Sequence, residues 1–209
     1  MAVRKKKPEY HHGDLHQALV AATLSLARKK GARAVTLSEA AKEAGVSVAA
    51  PYRHFADKEA LLAAAAEESY LMFETCLARA TATGSALERC EQLALAYLRF
   101  FAEHPERIEL MFGIGLKQWE HEGLLKASLA AFQRLQTVIN GLADEGILAR
   151  ETVARRAYMF WYLMHGHATL GVGRVGPDTP EPMKAVLESL HALIRGFAVD
   201  DGQKKKKPR

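Results

Sequence analysis

The sequence predicts an all-α fold. Apolar residues recur at intervals of three and four along most of the chain, and no sustained period-two run bounded by hairpin turns interrupts them. The polar residues between these stretches repeatedly spell helix starts and stops, enough for about nine helices.

Leu15, Leu19, Ala22, Leu26 and Ala27 mark one face of a first helix. It is expected to begin at Asp14 as N-cap and to stop at Gly31, with Lys29 and Lys30 suiting its C-terminal end. Thr36-Leu37-Ser38-Glu39 reads as a capping box, in which the threonine hydroxyl satisfies an orphan amide while the glutamate reaches back. The short helix it opens ends at Gly45. Ser47 is the expected cap of a third short helix running to His54, and Asp57 that of a long fourth helix from Lys58 past Tyr70. Ser85 with Glu88 repeats the capping pattern, and His104-Pro105 breaks that helix before the segment 106–111. Three longer helices are expected at 117–144, 151–172 and 181–198, separated by Gly146 and by the Gly- and Pro-containing loop 173–180.

A chain of 209 residues that is 49% hydrophobic has enough apolar material for a substantial core. Its formal charge of +5 is unevenly spread. Residues 1–60 carry 11 Lys/Arg against 6 Asp/Glu, residues 61–198 carry 13 against 16, and residues 199–209 carry 5 against 2. A basic N-terminal third on a mildly acidic body suits a phosphate-contacting module carried by something else; a solvated charged surface would look the same. The four divisions expected are a basic arm at 1–13, a basic module at 14–60, a helical body at 61–198 and a disordered basic tail at 199–209 that includes Lys204 to Lys207. Arg4 to Lys7 can be read as an arm along phosphates or in a minor groove, or as a solubilising tail. No secretory signal or membrane-spanning run is evident, so a cytoplasmic, membrane-free protein is expected. Cys76 and Cys90 lack metal-ligand spacing and read as small buried residues.

Residues 36–55 place a short helix, Gly45 at the bend and a second short helix in succession, the layout of a helix-turn-helix. By spacing alone this is either a DNA reader or a structural corner. Leu37, Ala40, Ala41, Val46 and Phe55 can bury one side against the first helix, leaving Ser47, Ala49, Tyr52, Arg53 and His54 for the other.

The runs Val35-Thr36-Leu37, Ala44-Gly45-Val46-Ser47, Tyr52-Arg53-His54-Phe55 and Asp57-Lys58-Glu59-Ala60-Leu61 closely resemble the DNA-binding signature of the tetracycline-repressor (TetR) family. The resemblance covers roughly residues 14–62. It implies that Thr36 starts the helix crossing the DNA backbone and that Ser47 to His54 form the recognition helix. It also implies that Tyr52 and Lys58 contact phosphate, which a phenol hydroxyl and an ammonium at a helix N-terminus are chemically fitted to do. Base reading would fall to Ser47, Ala49, Ala50, Arg53 or His54, with small side chains on thymine methyls and Arg or His donating to guanine. His54 can equally pack beside Phe55. Pro51 departs from the pattern, because it lacks an amide donor and crowds an earlier carbonyl, so the recognition helix can start later than Ser47.

Met183, Val186, Leu187, Leu190, Leu193, Ile194 and Phe197 form one apolar face of the last helix, to be buried within the chain or against a second copy. The family resemblance implies a homodimer built on the last two long helices. The preceding segment from Tyr158 to Leu170 is apolar on nearly every face and is expected to be buried all round, with Gly166 marking a kink or a close crossing. Trp161 and His165-Gly166 resemble the Trp-His-Gly signature of one subgroup of the family. His165 and His167 lie two apart and face different ways, so no shared metal is expected. Met111, Phe112, Trp119, Phe132, Trp161 and His165 are candidate pocket residues, each also explicable as core.

These features point to a dimeric repressor that binds a palindromic operator on double-stranded DNA and is released by a small-molecule effector. No cofactor, metal or catalytic residue is implied. A helical carrier or enzyme with a structural helix-turn-helix is the alternative, against which stands the absence of any nucleophile constellation, phosphate loop or paired carboxylates in supporting context.

Overall fold

The computed structural model describes residues 12–171 and 181–205, all of whose regular elements are helical. Arg4 to Lys7, the loop expected at 173–180, and the last residues of the basic tail lie outside the described residues.

Helix α1 spans His12–Lys30, starting two residues before Asp14, which therefore lies within the first turn instead of capping it. Gly31 ends the helix at φ 84°, a conformation that strains any side chain-bearing residue. Thr36 caps α2 (Leu37–Glu43): its hydroxyl accepts from the Glu39 amide at 3.3 Å and donates to the Glu39 carboxylate at 2.6 Å. Gly45, at φ 71°, makes the bend. Asp57 caps the long α3 (Lys58–Ala80) by accepting from the Ala60 amide at 2.8 Å. Ser85 and Glu88 form both halves of a capping box at the start of α4 (Ala86–Glu103).

After His104 the chain makes a single turn, α5 (Pro105–Ile108), and then a π-helical turn over Glu109–Gly113, where the Ile114 amide reaches back five residues to the Glu109 carbonyl at 3.1 Å. The helix expected from residue 117 is a 3₁₀ turn at Gln118–Glu120 followed by α6 (Glu122–Asp144). The next is a 3₁₀ turn at Arg150–Thr152, α7 (Val153–Gly166) and a π-helical turn over His167–Gly171. Gly166 thus stands where α-helical bonding gives way to a wider turn. A Cβ there would meet no other described residue within 4 Å beyond its own helix, so no close crossing among the described residues accounts for it. The last helix, α8 (Pro182–Lys205), runs seven residues beyond the expected end.

Two cores form. Leu19, Ala27, Val35, Leu37, Ala40, Phe55 and Leu61 unite α1, α2 and the start of α3. The larger core joins the rest of α3 to α4, α6, α7 and α8 through Phe73, Leu93, Phe101, Ile139, Phe160 and Leu190. Helix α3 belongs to both.

The α8 face divides. Val186, Leu190, Ile194 and Phe197 are buried in their own chain, Leu187 and Leu193 are half-buried, and Met183 is exposed. The α7 segment is not buried all round. Ala157, Phe160 and Met164 face inward, while Tyr158, Met159, Tyr162 and Leu170 remain in solvent, because α6 and α8 cover only one side of it.

Candidate functional site

The segment after Gly45 is the first place where local chemistry overrides pattern. Pro51 has no amide with which to reach the Ser47 carbonyl. That carbonyl instead accepts from the Ala50 amide at 2.9 Å, and regular structure is limited to a 3₁₀ turn, Pro51–Arg53. Ser47 therefore caps no α-helix; the helix expected from 47 to 54 is a succession of turns. Pro51 is buried beneath them.

This arrangement leaves Thr36, Ser47, Ala49, Tyr52 and Arg53 exposed and Ala50, His54 and Lys58 half-buried. Tyr52 is 60% accessible. Val48, which the helical register gave no reason to single out, is 46% accessible between Ser47 and Ala49, and so joins the outward apolar surface. His54 lies 6.3 Å from the His16 ring and 6.5 Å from Phe55, while His16 packs on Phe55 at 4.8 Å. The Lys58 ammonium donates to the Arg33 carbonyl at 2.6 Å, using one of its three donors. Lys30 and Lys29 are paired with Glu39 and Glu43 across α1 and α2, and these contacts hold both carboxyls below their usual range.

In the body, α3, α4, α6 and α7 enclose a cavity walled by Tyr70, Phe73, Tyr97, Phe112, Phe132 and Trp161, with Leu77, Leu93, Ser128, Ala131, Leu135 and Met164 between them. Its free volume is about 20 Å³, room for about one water molecule. Of the residues expected in a pocket, Phe112, Phe132 and Trp161 are in this wall. Met111 is buried in the adjoining core, and His165 stands one ring behind the wall, 4.6 Å from Phe112. Trp119 is a correction: it sits on the 3₁₀ turn at 73% exposure, because the helix that would have carried it inward begins only at Glu122. The wall residues that had not been singled out follow helical spacing, Tyr70-Phe73-Leu77 and Leu93-Tyr97 along one face each.

Polar atoms at this wall are already satisfied. The Tyr97 hydroxyl accepts from the Trp161 indole and meets His165 Nδ1 at 2.9 Å. Burial raises the Tyr97 pKa and lowers that of His165, so a phenol meets a neutral imidazole, with the donor set by the His165 tautomer. The Tyr70 hydroxyl, pushed up to about 12 by burial, donates to the Met111 carbonyl at 3.2 Å and accepts from Gln118 at 3.4 Å. Burial likewise pushes the Cys90 thiol up to about 12, which leaves it inert at neutral pH. His167 turns away from His165 to Ser189 at 3.3 Å. Among the described residues no cluster of His, Cys, Asp or Glu is placed to hold a metal, and no helix is long and apolar enough to cross a membrane.

Four consecutive residues of the π turn connect cavity and N-terminal module. The Glu109 carboxylate accepts from the Ala32 amide at 2.7 Å, just beyond Gly31. Leu110 is buried in the N-terminal core, Met111 in the body core, and Phe112 forms cavity wall. Arg33 adds a bond to the Gly113 carbonyl at 2.6 Å. Nothing in the periodicity of 106–111 indicated this division, which is decided by which neighbours the turn meets.

Residues 19–65 match the family model described as bacterial regulatory proteins, tetR family, and residues 90–197 match that of the tetracyclin repressor-like C-terminal domain. No curated protein matches the chain. Among solved structures, a protein of unknown function from Rhodococcus sp. RHA1 is 31% identical over 92% of this chain and 100% of its own, with a TM-score of 0.80. A TetR family transcriptional regulator, PfmR from Thermus thermophilus, is 19% identical over 84% and 96%, with a TM-score of 0.61. The transcriptional regulator FadR from Bacillus subtilis, solved with stearoyl-CoA, is 16% identical over 87% and 98%, with a TM-score of 0.70.

Proposed function

Since the chain belongs to the tetracycline-repressor family of bacterial regulatory proteins, we propose that it is a homodimeric repressor that binds a palindromic operator and is released by a small molecule entering its C-terminal cavity. The single observation that carries this reading is the Glu109-to-Phe112 run, which makes one turn of backbone common to the cavity wall and to the support of α2. Helix α3 gives a second route, since Asp57 caps it in the DNA-binding module and Tyr70, Phe73 and Leu77 present it to the cavity. A guest that displaces Phe112 or tilts α3 changes where the recognition turns sit, and a dimer reading two half-sites about 34 Å apart loses its fit.

In this proposal residues 14–60 form the DNA-binding module, 61–198 the effector and dimerisation body, and the basic ends at 1–13 and 199–209 accessory segments. Tyr52 and Lys58 contact phosphate, with Thr36 starting the helix that crosses the backbone. Ser47, Ala49, Ala50, Arg53 and His54 face base edges, with Val48 as an added contact for a thymine methyl. Trp161 and His165, joined through Tyr97, support assignment of the body to the Trp-His-Gly subgroup. The dimer covers the exposed α7 residues Tyr158, Met159 and Tyr162. The protein acts in the cytoplasm, as a regulator and not as an enzyme.

Selection of bound duplexes from a random DNA pool tests the proposal. Enrichment of a palindrome with half-sites about one helical turn apart, roughly 10 base pairs, supports it. Absence of any enriched sequence at low salt overturns it.

A further inference from the structure

We propose that the effector is a neutral, flat aromatic molecule, an inference that rests on the body being the effector site of a regulator. Six rings on four elements and the π turn surround the cavity, and they already meet one another edge-on or tilted. Phe73 lies 5.1 Å from Tyr97, Phe112 lies 5.8 Å from Tyr70, and Phe132 lies 4.9 Å from Trp161. A flat guest reproduces these contacts on both of its faces, whereas a flexible chain gains area but not the edge-to-face geometry and must also be ordered.

The hydrogen-bonding state of the wall sets the charge of the guest. Among the described residues, no Asp, Glu, Lys or Arg lines the cavity. The three hydroxyls that do are engaged: Tyr70 with the Met111 carbonyl, Tyr97 with Trp161 and His165, and Ser128 with the Leu125 carbonyl at 2.9 Å. The nearby Arg134 is paired with Glu74 at 2.8 Å. A carboxylate or phosphate would surrender its water and find neither counter-charge nor free donor.

Space for the guest comes from the wall itself. The free volume of about 20 Å³ is well below the roughly 150 Å³ of a cavity that admits benzene. Phe112, Phe132 and Trp161 are only half-buried within the chain, and Phe132 also packs at 4.8 Å on Tyr158, a residue proposed to lie under the second copy. These are the wall rings least enclosed by the chain's own core. Phe112 is the one whose backbone continues to Glu109, so the ring that must yield is also the ring tied to the DNA-binding module.

Calorimetric titration of the full chain with naphthalene, 2-naphthoate and 1-decanol separates shape from charge. Naphthalene should bind saturably at one site per chain, at least tenfold more tightly than either of the others, and Ser128→Leu, which fills the rim, should abolish its binding. Should that variant fail to fold, Phe132→Ala supplies the second arm, because the enlarged cavity should bind biphenyl at least tenfold more tightly than the parent. Equal or tighter binding of 2-naphthoate or 1-decanol overturns the inference, as does absence of naphthalene binding or indifference of both probes to both variants. None of these titrations contains DNA. A palindrome from the duplex selection with no naphthalene binding therefore removes the ligand class and leaves the regulator, while naphthalene binding without DNA selectivity does the reverse.

Discussion

Tyr97 illustrates how single residues here are fixed by their partners. Its hydroxyl is held between Trp161 and His165, and burial keeps His165 neutral by lowering its pKa from 6.5. His167 shifts the same way for the same reason. The folded state therefore resists a proton that the unfolded chain accepts, so stability is retained above pH 6.5 and declines as pH falls through that value toward the lower folded pKa. Melting temperature measured from about pH 7.5 to about 5.5 should fall, and His165→Asn should flatten the fall; an unchanged slope would remove His165 from the account. On the outer surface, Tyr52→Phe and Lys58→Ala should weaken binding to all duplexes alike, with Lys58→Ala reducing the salt dependence by about one unit of slope. A change in sequence preference alone would contradict phosphate contact. The exposure of Tyr52 was legible because its neighbours are apolar at inward spacings. The bond from Lys58 to the Arg33 carbonyl was not, since it joins residues 25 apart in sequence through a tertiary approach.

At the scale of elements, caps were the most legible features. Thr36, Asp57 and Ser85 all accept from the amide three residues on, as their spacing from the following residues requires. Ser85→Ala should cost about 1 kcal/mol, read from urea unfolding of the whole chain. The segment 47–54 shows the limit of the same logic, because a cap is only useful if the helix after it can bond back, and Pro51 prevents that. The π turn at Glu109–Gly113 lies further from reach. Leu110 enters the N-terminal core and Met111 the other, a division decided by which neighbours the turn meets. Leu110→Ala should destabilise the protein by about 2–5 kcal/mol through the cavity it leaves. Circular dichroism and duplex binding should show that loss first as reduced DNA affinity, since α2 loses its support before the body does. DNA affinity unaffected at temperatures where the variant remains folded would show that the π turn does not hold the recognition turns in place.

For the whole molecule, assembly can be tested at two glycines. A Cβ at Gly166 or Gly196 would meet no other described residue within 4 Å beyond its own helix, and replacing a helical glycine gains up to about 1 kcal/mol of helix propensity. Gly166→Ala with Gly196→Ala should therefore leave the single chain folded and at least as stable. If these positions face a second copy, the same substitutions should dissociate the dimer in sedimentation and weaken operator binding steeply. A double variant that stays dimeric would place the interface elsewhere. Tyr162, 69% exposed one helical turn before Gly166, makes the same point from the apolar side: the period of α7 asks for burial that one chain does not supply.

The sequence by itself determined the helical class, the caps at Thr36, Asp57 and Ser85, and the short helix and glycine bend that open the motif at 36–55, because each depends on residues within one or two turns of one another. Tertiary structure decided which side of each face meets which neighbour. It kept Trp119 out of the cavity wall, brought Tyr70 and Tyr97 into it, split α8 between core and edge, and placed Glu109 on the Ala32 amide. Those outcomes depend on the helix start at Glu122, on the extra residue in the π turn and on the positive φ of Gly31, each a small local choice that helix packing carries across the molecule.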